Sequence, residues 1–184
     1  MKTLHAVIAF FMSATIVSAQ ESPVPPLTVV PEVDLNRYMG TWYEIARLPN
    51  SFQGKCVSDV TATYALLDDG DIRVVNRCRK EDGEMNEAEG LARIASKDGP
   101  NTKLKVRFAP AWLSFLPFVW GNYWIIALAP DYSYVAIGEP DREYLWILAR
   151  TPVMDETTLQ HVLEQVRQKG YDLTNLLKTT NSAK

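Results

Sequence analysis

Few side chains in this sequence are equipped for bond-making chemistry, and those that are do not cluster. Of the two histidines, His5 lies in an apolar N-terminal stretch, and His161 lies in a helical pattern where an exposed imidazole is expected. General acid–base work needs a titratable group within hydrogen-bond reach of a reacting atom. Glu84, Glu87 and Glu89 read as a solvated rim, and Glu44 reads as a single inward acid, which makes no mechanism alone. No histidine or cysteine set has metal-ligand spacing, and no glycine-rich phosphate loop is present. The sequence therefore predicts no metal, no cofactor and no enzyme. Asn76 carries more information, because it falls on the inward side of an alternating strand. An amide buried there unpaired costs on the order of 1 to 3 kcal/mol, so it needs protein, water or a ligand. Tyr64, on the neighbouring strand, supplies a second polar group that could help meet a ligand's head while an apolar tail lies deeper.

Short strands position these groups. Val60, Ala62, Tyr64 and Leu66 alternate with Thr61, Thr63 and Ala65, and Ile72 and Val74 alternate with Arg73 and Val75. Asp68-Asp69-Gly70-Asp71 between them is a hairpin turn. Leu104, Val106 and Phe108 alternate with Lys103, Lys105 and Arg107. With Gly40 to Ala46, Asn86 to Ser96, Asn122 to Ala129, Tyr134 to Gly138 and Glu143 to Arg150, the strands number eight. No helix separates them, so the fold class is all-β, a closed antiparallel barrel or a sandwich. Asp34 to Met39 reads as one helical turn. After the strands, Asp155 is an N-cap, Leu159, Val162, Leu163 and Val166 form a helical stripe, and Gly170 ends the helix outside the strands. Alternation points Tyr64, Val74, Asn76, Val106 and Phe108 inward, and Trp124, Ile126 and Trp146 are assigned there too, although both faces of their strands are apolar.

Composition limits the alternatives. A chain of 184 residues that is 47% apolar supports one ordinary core. A net charge of −3 without a basic run argues against nucleic acid as a partner. Lys2, the apolar stretch Ala6 to Val17 and the small residues Val17-Ser18-Ala19 read as a signal peptide, residues 1–19, cut before Gln20. Glutamine there, where a lipoprotein has its lipidated cysteine, predicts no lipid anchor. Residues 20–32, with four prolines, read as a linker, 33–178 as the folded domain and 179–184 as a disordered tail.

Gly40-Thr41-Trp42 after a helical turn, Asp131-Tyr132 after the sixth strand and Arg150 ending the eighth resemble the three signature regions of the lipocalins. The longer runs from Gly40 to Pro49 and from Pro140 to Arg150 resemble the bacterial outer-membrane subgroup, kin of apolipoprotein D and the plant temperature-induced lipocalins. The resemblance implies an eight-stranded antiparallel up-and-down barrel with one C-terminal helix packed outside. It also implies an arginine packed across the signature tryptophan, and an interior that holds a small hydrophobic ligand. In such a barrel alternate connections lie at opposite ends, and the count puts all three signatures at one end. That end is the closed one in the family.

The opposite end is then an open mouth, and the fifth connection there, Ala109 to Trp120, carries Trp112, Phe115, Phe118 and Trp120. It reads either as a lid packed on the rim or as a surface that dips into a membrane. Cys56 and Cys78 are either a disulfide or two buried free thiols. In a straight hairpin Cys56 lies several residues above the position opposite Cys78, so a bond requires the loop Pro49 to Lys55 to fold inward over the mouth. The expected ligand is a fatty acid or lysophospholipid carried or stored in the periplasm, with or without peripheral contact at the outer membrane and with a monomer or homodimer as the assembly; the alternatives are a lipocalin-type isomerase and a ligand-free membrane-contact module.

Overall fold

The computed structural model describes residues 25–182, so the expected signal peptide and cleavage site lie outside the described residues. After a short helix α1, Leu35–Tyr38, the strands are β1 Gly40–Arg47, β2 Ser58–Leu66, β3 Ile72–Arg79, β4 Met85–Ile94, β5 Lys103–Arg107, β6 Gly121–Leu128, β7 Tyr134–Gly138 and β8 Leu145–Ala149. Each pairs antiparallel with the next, and β8 pairs back with β1 through Tyr43 opposite Ala149 and Glu44 opposite Leu148, closing an eight-stranded barrel. Helix α2, Glu156–Gln168, follows; its N-cap Asp155 accepts from the Thr158 amide, and Gly170, at φ +87°, lies just past its end. Among the described residues no helix is long and apolar enough to cross a membrane.

Two apolar clusters divide along the barrel wall. Inside are Trp42, Tyr64, Ile72, Val74, Ala92, Leu104, Ile125, Val135, Ile137 and Leu148. Outside, Leu159, Val162, Leu163 and Val166 of α2 bury Ile45, Ala46, Ile126, Ala127, Ala136 and Ile147. Bulges in β1 and β6 fit the wall to the helix. In β1 the ladder slips between Glu44 and Ala46, so Ile45 and Ala46 both face α2 while Glu44 and Arg47 both face inward. In β6 it slips between Ile125 and Ala127, and Ile126 and Ala127 share the outer side.

The chain ends are more ordered than their composition suggests. Leu27 of the proline-rich strip is buried in the outer cluster, and Val30 donates to the Ile125 carbonyl and accepts from Thr102. Residues 25–32 therefore pack along the barrel instead of forming a free linker. At the other end a ninth strand, β9 Leu177–Lys178, pairs with Arg47 and Ala46 of β1. Thr179 then donates to the Ile45 carbonyl, Thr180 accepts from the Asp59 amide, and the Ser182 amide donates to the Asp59 carboxylate. Residues 179–182 thus span the split between β1 and β2 near the mouth instead of trailing as a tail. Polar composition misled here because the anchoring combines backbone pairing with a few specific side-chain contacts to distant strands, which composition does not report.

Candidate functional site

The closed end is built first, from the signature residues. Trp42 is fully buried, its indole N–H donates to the Tyr38 carbonyl at 2.8 Å, and the Arg150 guanidinium lies over its ring at 3.8 Å. Arg150 also donates to the carbonyls of Thr41, Arg37 and Tyr38. Tyr132 accepts from the Asp34 amide at α1 and stacks under Arg37, and Asp131 holds its own turn through Ser133. Gly40, at φ +93°, starts β1 directly against Arg150, where a side chain would be strained.

Above this plug lies a floor of three tyrosines. The Tyr123 hydroxyl sits 2.6 Å from that of Tyr38 and 2.9 Å from that of Tyr64. Burial drives all three phenols above the ordinary range, Tyr64 to about 12, so they stay neutral and bond one another. Tyr64 is opposite Gly40 in the ladder, at the closed end, and its hydroxyl is already engaged. It is therefore floor, and the deep half of the interior is filled by side chains; the expected placing of a tail below it is corrected. Tyr38 and Tyr123 were missed in sequence because neither lies in a strand with a polar outer face.

Toward the mouth the packing opens. Val74 is buried against the floor, but Asn76, one inward position higher, makes no side-chain hydrogen bond among the described residues, and its buried Oδ1 has no partner among them. Directly opposite it on β4 is Ala88, and two residues on is Asn86, opposite Cys78; both are inward by register and exposed, as are the outward Glu87 and Glu89, because this end of β4 extends past its pairing with β5 and is open to solvent on both faces. Val106 is half-buried on the inner cluster. Phe108 is 42% exposed and lies across Gly90, where an added Cβ would fall 2.7 Å from its ring. Trp146 is inward on β8 beside Arg47 of β1.

Two assignments are corrected. Trp124 and Ile126 face out: Trp124 is opposite Lys103 and stacks on its ammonium at 4.0 Å, and Ile126 is buried beneath α2. Because the helix covers that outer wall, both faces of β6 are apolar and alternation carries no signal.

The first loop covers part of the mouth. Cys56 and Cys78 form a disulfide with Cα atoms 5.4 Å apart. A bulge between Ser58 and Thr61, with Asp59 at φ +51°, turns the loop inward so that this distance is reached. Gln53 of the same loop donates to the Glu44 carboxylate at 2.7 Å and accepts from the Trp146 indole at 2.8 Å, while Phe52 packs at a tilt on Tyr144. Glu44 also accepts from Thr179 at 2.5 Å, and the Arg47 Nε lies 3.3 Å away, near enough for charge attraction but off the line of a hydrogen bond. One buried carboxylate thus ties loop, barrel and C-terminal segment together, and none of its bonds points to a reacting atom.

Burial raises the Glu44 carboxyl above its ordinary 4.5, against the lowering effects of Thr179, Gln53 and Arg47. Between the unfolded and folded values the folded state binds the extra proton, so stability falls as pH rises through that window and is level above it. Glu44→Gln is expected to remove this slope. Urea unfolding at successive pH values above 4.5 checks it, and parallel curves for the two proteins would mean that the carboxyl titrates as an exposed one.

The fifth connection makes two short 3-10 turns, Ala111–Leu113 and Pro117–Val119. Trp112, Phe115 and Phe118 are 73%, 76% and 81% exposed, so these aromatics do not pack on the rim as a lid. Trp120 differs: it is 8% exposed on the outer wall, with Arg93 over its ring at 3.9 Å and its indole N–H bonded to the Ser114 carbonyl. The second turn returns the chain to β6 at Gly121, which presses Trp120 down onto β4 and β5 and removes it from the exposed group.

A model of the lipocalin-like domain matches residues 33–181. The chain is a lipocalin. It is 43% identical to temperature-induced lipocalin-1 of Arabidopsis thaliana, over 85% of this chain and 83% of that protein. It is 41% identical to the outer membrane lipoprotein Blc of Citrobacter freundii, over 93% of each. The structure of insecticyanin from Manduca sexta superposes with a TM-score of 0.63 at 21% identity, over 86% of this lipocalin and 92% of that chain, a likeness of fold alone. Lipocalins typically bind and transport small hydrophobic ligands. In this lipocalin Asn76 and Trp146 are inward and only half-buried, on the mouth side of the tyrosine floor.

Proposed function

We propose that this lipocalin carries or stores a single-chain amphiphile, a lysophospholipid or long-chain fatty acid, outside the cytoplasm during membrane lipid turnover. The observation that carries this reading is the inward Asn76 amide, whose buried oxygen has no partner among the described residues and lies beside an exposed, inward Ala88. That amide can accept from a hydroxyl and donate to a carboxylate or phosphate oxygen. A lysophospholipid offers both around its glycerol, whereas a fatty-acid carboxylate offers the second only. The acyl chain then lies along Val106, Phe108 and Trp146, which are apolar and incompletely covered. Trp112, Phe115 and Phe118 beside the mouth suit contact with a membrane interface, through which a lipid could pass without crossing water. The disulfide suits an oxidising compartment, and several relatives are named as outer membrane lipoproteins, which supports a periplasmic carrier at that membrane.

Native mass spectrometry of the purified protein before and after delipidation, with displacement of a fluorescent fatty acid by lysophosphatidylcholine and by palmitate, tests the reading. One displaceable acyl ligand per chain and saturable uptake are expected. Asn76→Leu is expected to weaken lysophosphatidylcholine by roughly 5- to 150-fold, the equivalent of about 1–3 kcal/mol, and palmitate less. No acyl ligand and no saturable uptake would overturn the proposal.

A further inference from the structure

The outer wall of β4 and β5 beneath the aromatic loop carries an arrangement of charge that folding alone disfavours. Arg93 and Lys105 are directly opposite each other across the β4–β5 ladder and point outward, since their neighbours Ala92, Leu104 and Val106 face in. Like charges so placed repel and destabilise a sheet. One register step along the same face, Arg107 is opposite Leu91, and Leu91 is opposite Arg73 on β3. None of Arg73, Arg93, Lys105 and Arg107 takes part in an ion pair among the described residues, although Arg77, Arg79 and Lys80 on the adjoining hairpin each have at least one. Arg107 is buried and donates to the Ala109 carbonyl, so the cations the wall presents outward are Arg73, Arg93 and the half-buried Lys105. The whole chain has a net charge of −3, so this concentration of unpaired cations does not reflect a basic protein.

The cationic wall is continuous with the exposed aromatics. Trp120, at the end of their loop, is stacked by Arg93 at 3.9 Å and by Arg107 at 5.2 Å. A groove of about 470 Å³ runs from Arg73 and Arg107 to Ala109, Pro110 and Ala111, where the loop leaves the barrel, and Glu89 is the acid on its lining. An apolar tip flanked by cations matches an interface in which aromatic rings enter the acyl boundary and cations meet phosphates in the headgroup layer.

We propose that this wall is a docking surface for anionic phospholipid, which sets both the membrane this lipocalin visits and the orientation in which its mouth meets it. The proposal rests on the membrane contact of Trp112, Phe115 and Phe118 and adds to it a choice of lipid. Arg73 and Lys105 are the groups to test, because Arg93 and Arg107 also hold Trp120 in place.

Co-sedimentation with vesicles of phosphatidylcholine alone, and with about a third phosphatidylglycerol, separates the two readings. The wild type is expected to prefer the anionic vesicles and to lose that preference at about 0.5 M salt, where exposed charges are screened. Arg73→Gln with Lys105→Gln is expected to weaken anionic binding by roughly 25-fold, from ~1 kcal/mol for each cation. Binding to phosphatidylcholine, fluorescent fatty acid uptake and the melting temperature should be unchanged, and Arg73→Lys with Lys105→Arg should restore the preference. Equal binding to both vesicle types, or a preference untouched in the glutamine variant, would overturn the docking surface. The variant with serine at 112, 115 and 118 is expected to lose binding to both vesicle types, and unchanged binding in it would instead sink the aromatic contact.

Discussion

Ala88→Trp is expected to weaken binding of the proposed acyl ligand at least tenfold while leaving the barrel intact. Ala88 is opposite Asn76 in the β3–β4 ladder and points inward, yet solvent reaches it, so an indole there reaches over the Asn76 side of the mouth instead of displacing packed core. The overpacking cost that follows small-to-large changes in a filled interior does not apply at such a site. The dissociation constant for a fluorescent fatty acid should rise at least tenfold, about 1.4 kcal/mol or more, and the melting temperature should move by no more than about 2 °C. Glu87→Trp is the control, because the adjacent residue faces outward and loses only an exposed pair with Arg77, worth about 1 kcal/mol or less. Retained uptake in Ala88→Trp would show that ligands do not occupy the space beside Asn76.

The parts of this site that were legible in the sequence are those where one face of a strand is wet. On β2, β3 and β5 the outer face is polar, so alternation alone places Tyr64, Val74, Asn76 and Val106 inward. On β6 the outer face is dry because α2 lies on it, and there period-two reasoning put Trp124 and Ile126 on the wrong side. Bulges compound the difficulty. The slip after Glu44 puts Ile45 and Ala46 together beneath the helix and returns Arg47 to the interior with Glu44, and no residue in that run marks a bulge. The Gln53 bonds to Glu44 and Trp146 span sequence separations of 9 and 93, and depend on a loop whose inward path is set by the disulfide and the Asp59 turn. Polar side chains in a loop ordinarily read as solvated. Only the requirement that Cys56 reach Cys78 hinted that this loop turns inward. The aromatic loop was visible as composition, but whether its rings pack or stand free is decided by the two short turns, which bury Trp120 and leave the other three out.

At the closed end the corresponding expectation concerns stability. Trp42→Ala is expected to cost about 3–5 kcal/mol in urea unfolding, the range for removing a large buried aromatic. Its ring has no exposure, packs on Tyr38 with ring centroids 5.2 Å apart and lies under Arg150. Its loss therefore leaves a cavity directly beneath the tyrosine floor. The cation contributes a smaller and separable share. Arg150 keeps its bonds to the Thr41, Arg37 and Tyr38 carbonyls when the ring is gone, so its guanidinium is not stranded without partners. A double-mutant cycle of Trp42→Ala with Arg150→Met should give a coupling of about 0.5–2 kcal/mol, the worth of the ring–cation contact. The denaturant slope should stay near that of the wild type, since the same surface is exposed on unfolding. A single-variant cost below about 1 kcal/mol would mean that the plug is not what holds this end closed. The filling of the deep half by Tyr38, Tyr64 and Tyr123 would then have to close it instead, and replacing Tyr123 by phenylalanine, which removes the hydroxyl both others bond, would become the more damaging change.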